Sequence, residues 1–93
     1  MTVYNEREIK GLLLKVDTVL IAEVIEIDGL GVSSQEPNCR LINPMEVSED
    51  GSLKLWPSEK VTDQNIVMIH SSDILTMFDP LDKIVANYIE LTK

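Results

Sequence analysis

The sequence predicts a mainly β domain followed by a C-terminal helix. Three observations carry this. Residues 19–27 are apolar on both strand faces, and two short apolar stretches, residues 66–69 and 74–78, flank the polar tetrad His70-Ser71-Ser72-Asp73. After Asp79-Pro80, apolar residues recur at helical spacing. At 93 residues the chain reads as one domain, near the lower limit of what buries a useful core alone.

Residues 2–10 are polar apart from Val3, Tyr4 and Ile9 and read as a short helical turn before Gly11. Residues 12–16 read as the first strand, Asp17-Thr18 as a turn and residues 19–27 as the second strand. Leu20, Ala22 and Val24 share one face of that strand, and Val19, Ile21, Glu23, Ile25 and Ile27 share the other. Such a strand is buried on both sides or meets another subunit. Residues 28–38 form a loop rich in Gly, Ser, Pro and Asn, and residues 39–47 resume as a strand interrupted at Asn43-Pro44. Proline has no N–H for a ladder, so that point is a bulge or an edge. Ser48-Glu49-Asp50-Gly51 is a hairpin turn, with Gly supplying positive φ, and residues 52–56 return to Pro57. A polar connection over residues 58–64 leads to residues 65–78, read as two strands joined by a very short turn. Asp79 is placed to cap a helix and Pro80 to open it. Leu81, Ile84, Val85, Tyr88 and Leu91 then form an apolar stripe, which must pack on its own domain or on a neighbouring subunit.

Composition narrows the function classes. Aromatics are few, so the core rests on Ile, Leu and Val. Sixteen acidic against eight basic residues give a net charge of −8, which opposes the phosphate contacts that dominate nucleic-acid affinity. The charge reads as a solvated surface; a partner with a basic face, or a local basic patch, is the functional alternative. The lone Cys39 excludes an intramolecular disulfide. Asn5-Glu6-Arg7-Glu8 interrupts any signal-like apolar run, and no stretch reaches the roughly 18 apolar residues that span a bilayer. The expectation is a cytoplasmic protein without a membrane partner.

Two segments resemble the Sm and Sm-like family, whose members are five-stranded bent β-barrels assembled into rings. Asp17 stands at the family's first turn, Ala22 at the strand bend where Gly is usual, Asp28 at the closing acid and Asn38 at the Asn leading into the third strand. In the second motif His70 and Ser71 fall on the usual Arg-Gly pair, with Ile74, Leu75 and Met77 in the last strand. Short Sm-like proteins encoded by tailed phages of marine bacteria look similar in having a Trp-Pro segment and a C-terminal helix. The resemblance implies a homo-oligomeric ring held by pairing residues 65–69 of one copy with residues 74–78 of the next. Ile66, Met68, Ile74 and Met77 would lie in that interface. It also implies an RNA site comprising Asn38 and His70, with Asp28 orienting the loop. The loop holds no aromatic to stack a base, and His70 replaces a fixed positive charge. RNA binding is therefore expected to be weak, and a protein-interaction scaffold without a nucleotide pocket is the alternative.

The remaining motifs point away from catalysis and cofactors. His70-Ser71-Ser72-Asp73 contains triad residue types, but consecutive residues in a turn cannot converge as a relay. Cys39 reads as a buried thiol, and one His with one Cys makes no zinc set. Glu46-Val47-Ser48-Glu49-Asp50-Gly51 lacks calcium-loop spacing, and Gly29-Leu30-Gly31 is too short for a dinucleotide site. Trp56-Pro57 reads as a core or interface anchor, with an exposed recognition residue as the alternative.

Overall fold

Period-two patterning over most of the chain gives a sheet, and the computed structural model of the protein describes residues 8–26 and 38–93 of it. The elements are β1 (Ile9–Leu14), β2 (Val19–Glu26), β3 (Cys39–Val47), β4 (Leu53–Leu55), β5 (Ile66–Ile69), β6 (Ile74–Phe78) and α1 (Asp82–Leu91). Every pairing is antiparallel, in the order β4-β3-β2-β1-β6 with β5 also on β3. The mainly β expectation with a C-terminal helix is met. The sheet has six strands instead of five and is not closed into a barrel. Of the expected loop, Asp28, Gly29-Leu30-Gly31 and the residues up to Pro37 lie outside the described residues, as do residues 1–7.

β1 begins earlier than expected. Ile9 and Lys10 pair with Glu23 and Ala22, so they belong to a strand and not to a helical turn. The β1–β2 turn closes with the Leu14 amide donating to the Thr18 carbonyl at 2.8 Å and the Asp17 amide donating to the Leu14 carbonyl at 3.0 Å. Asp17 holds φ 65°, a left-handed conformation that Asp tolerates better than most residues.

The bulge expected at Asn43-Pro44 is present. Ile21 faces Met45 while Glu23 faces Ile42, so Asn43 and Pro44 together oppose Ala22. On its other edge β3 changes partner at the same point, pairing with β5 through Ile42 and with β4 from Met45. The β3–β4 hairpin turns as expected, with Gly51 at φ 87°.

β5 and β6 do not form the expected hairpin. Ser71–Asp73 is a 3-10 turn in which the Asp73 amide donates to the His70 carbonyl at 3.0 Å. None of these residues takes the positive φ that a tight hairpin requires. The chain is instead redirected so that β5 joins β3 and β6 joins β1.

The two faces of β2 build two apolar clusters. Leu20, Ala22 and Val24 join Leu12, Leu14 and Leu41, with Trp56, Val67, Ile69 and Ile74 packed around them. On the opposite face Ile21, Met45 and Tyr88 form a smaller cluster beneath α1, flanked by Ile84. The helix therefore covers part of its own sheet. Its buried stripe is narrower than the spacing suggests, because Tyr88 is fully buried, Ile84 and Val85 half-buried, and Leu81 and Leu91 exposed. Helix initiation also differs. Leu81, not Asp79, is the N-cap, and no side chain caps the helix. The Asp79 carboxylate is instead bound by the Lys10 ammonium at 2.8 Å.

Candidate functional site

The site implied by Asn38 and His70 forms where β3 begins and β5 ends. The Asn38 amide N–H donates to the Ile69 carbonyl at 3.2 Å. Its side-chain Oδ1 accepts from the Ser71 amide at 2.8 Å, and its Nδ2 donates to Ser71 Oγ at 3.0 Å. Asn38 thus grips the chain on both sides of His70. Both amide atoms are already engaged, which leaves one Nδ2 hydrogen and one Oδ1 lone pair for anything else. The half-buried His70 imidazole has no hydrogen-bond or ion-pair partner among the described residues. Asp28 lies outside them.

Only some of the basic residues stand at this end. The Lys15 amide donates to the Asp73 carbonyl at 3.0 Å, and Arg40 stands opposite Met68, so these two flank the Asn38 clamp. Lys10 is paired with Asp79. Lys54 faces Glu46 near the far end of β3, eight residues beyond Asn38, or roughly 25 Å along a strand. Cys39, next to Asn38, is fully buried; burial and then the Glu26 carboxylate push its thiol pKa up, away from nucleophilic behaviour.

The residues expected at an assembly interface occupy the two outer strands. Ile66 and Met68 on β5, and Met77 on β6, are exposed. Ile74 is half-buried against its own core. Leu75 and Phe78 add exposed apolar surface to β6. Among the described residues, β5 pairs only with β3 and β6 only with β1, so each keeps an unpaired edge.

Trp56 satisfies both readings of the sequence. It is half-buried and packs on the main core, yet it also walls a surface cavity of about 200 Å³ with Asn43, Pro44, Glu59 and Asp63. Sequence reasoning marked the Trp but not its surroundings, because they come from separate segments joined only by the fold. Among the described residues no three His, Cys, Asp or Glu side chains gather as a metal site, and no helix is long and apolar enough to cross a membrane.

An open antiparallel sheet with a helix on one face and apolar outer strands is thus the scaffold on which these features sit. The chain belongs to a family of unknown function, DUF6561, whose profile matches residues 7–93. No curated protein matches it.

Proposed function

We propose that the protein is a non-catalytic, Sm-like binding module that assembles into a homo-oligomeric ring, with β5 of one copy pairing with β6 of the next. One observation carries the reading: strands joined by only four residues avoid each other and end at opposite edges of the sheet, each edge unpaired and apolar. An exposed edge of this kind invites pairing, and identical copies satisfy both edges at once. The two edges differ, so the contact is head-to-tail, and a rotation between copies that closes makes it a ring. Sedimentation velocity at micromolar concentration tests the assembly; a stable monomer ends this reading.

What the ring binds follows from the Asn38 clamp. Weak, salt-sensitive RNA contact at Asn38 and His70 is the family-like activity. The engaged Asn38 amide, the scattered cations and the −8 charge favour the second reading, an acidic scaffold for protein partners. Fluorescence anisotropy with labelled oligo-uridine separates them. Nanomolar binding at physiological salt, abolished by Asn38→Ala, would require the RNA reading; binding that vanishes as salt rises to physiological levels fits the scaffold.

A further inference from the structure

The cavity beside Trp56 has walls of two kinds. Pro44, Trp56 and Pro57 supply apolar surface, while Glu59 and Asp63 bring carboxylates; no Lys or Arg lines it. The indole is held in place, since its ring packs on the main core and the Trp56 amide donates to the Pro44 carbonyl at 3.2 Å. Across the cavity the Asn43 amide donates to the Asn65 carbonyl at 2.7 Å, which fixes that rim. Glu59 and Asp63 have no ion-pair partner among the described residues. A fixed indole face attracts a cation through its quadrupole. Carboxylates at the rim add Coulomb attraction, and the acidic surface as a whole strengthens the local field.

We propose that this cavity binds the guanidinium or ammonium tip of an Arg or Lys side chain presented by a protein partner. Its volume of about 200 Å³ suits a side-chain tip, being below the roughly 300–1,000 Å³ of sites that enclose drug-sized ligands. Both carboxylates are solvent-exposed, so a side chain can enter while its backbone stays outside. Arg fits best, because its planar cation stacks on an aromatic face and bonds carboxylates together. Phosphate-bearing ligands are repelled by the same carboxylates. The proposal goes beyond the ring: a single protomer carries the whole cavity, so loss of assembly and loss of cation binding are separate results.

Trp56 is the sole tryptophan, so its fluorescence reports on this cavity directly. The full chain is titrated with N-acetyl-arginine amide, with the neutral isostere N-acetyl-citrulline amide, and with the singly charged N-acetylagmatine, which lacks the backbone carboxamide. The proposal expects a saturable change with the arginine compound and none with citrulline. It expects at least a tenfold weakening in Glu59→Gln/Asp63→Asn, whose exposed positions leave the far-UV spectrum unchanged. An equal response to citrulline, or a linear response without saturation, would overturn the proposal. Tighter binding of N-acetylagmatine than of the capped residue would overturn the protein-partner assignment in favour of a free small cation.

Discussion

Replacing Tyr88 by Phe removes one oxygen atom from the point where sheet and helix are joined. The ring is fully buried against Ile21 and Met45, and Phe keeps that contact. What is lost is a hydroxyl whose proton is shared between the Ile42 carbonyl at 2.9 Å and the Asn43 carbonyl at 3.0 Å. These are the carbonyls at the β3 bulge, where the ladder is already interrupted. A typical hydrogen bond contributes about 1 kcal/mol net, and leaving a buried acceptor unpaired costs about 1–3 kcal/mol. Both carbonyls belong to half-buried residues that water can partly reach, which sets the expected loss at about 1–2 kcal/mol. For a chain of this size each kcal/mol lowers Tm by about 4–8 °C. Tyr88→Ala, which also empties the ring's volume, should cost about 3–5 kcal/mol. Urea unfolding followed by Trp56 fluorescence and far-UV circular dichroism measures this, at one protomer concentration because assembly would couple to unfolding. A lower midpoint with an unchanged slope is expected. An unchanged midpoint in Tyr88→Phe would refute the reasoning, since the bulge carbonyls would then need no donor from the helix.

Two further changes probe the sheet and the hairpin. A Cβ at Gly11 would overlap the Phe78 ring. The ring is partly exposed and can swing outward, so Gly11→Ala is expected to cost about 1–2 kcal/mol, read as a lower Tm together with altered Phe78 side-chain NMR shifts. Asp50 accepts from the Ser52 amide at 3.0 Å and the Ser52 hydroxyl at 2.7 Å, and these bonds, the amide's first, hold its carboxyl pKa below the ordinary range. A depressed folded-state pKa gives a stabilisation that is complete above the unfolded-state pKa and is lost as pH falls through the folded one. Asp50→Asn should therefore flatten the acid limb of the stability profile by lowering its neutral plateau, and leave the stability at the acid end little changed. An acid limb identical to wild type would contradict that assignment.

Local chemistry made several elements legible in the sequence. Pro44 cannot serve a ladder, and it marks the bulge; Gly51 supplies the one positive glycine φ among the described residues. The β5–β6 arrangement was less legible, because alternating apolar residues look alike in a hairpin and in strands sent to different edges. There the geometry of the 3-10 turn decides. The helix start was obscured by a tertiary competitor: Asp79 has cap chemistry, but Lys10, 69 residues away, takes its carboxylate. For the candidate site, the spacing of Asn38 and His70 was informative only through the family resemblance, and the clamp onto Ser71 had no sequence signature. The Trp56 cavity was invisible for a related reason, since its walls come from the bulge, from the end of β4 and from the connection that leads into β5.

The central claim, that the unpaired outer strands join one copy to the next, is tested most directly by light scattering of the wild type and of Met68→Lys at the same micromolar concentration. Met68 lies exposed on β5, so the Lys variant should fold normally while placing a solvated charge in the proposed contact. Pairing between copies gives a wild-type mass several times the 10.5 kDa of one chain, falling towards a single chain in the variant. A wild type that scatters as one chain would contradict it, and so would a variant that keeps the full mass of the assembly.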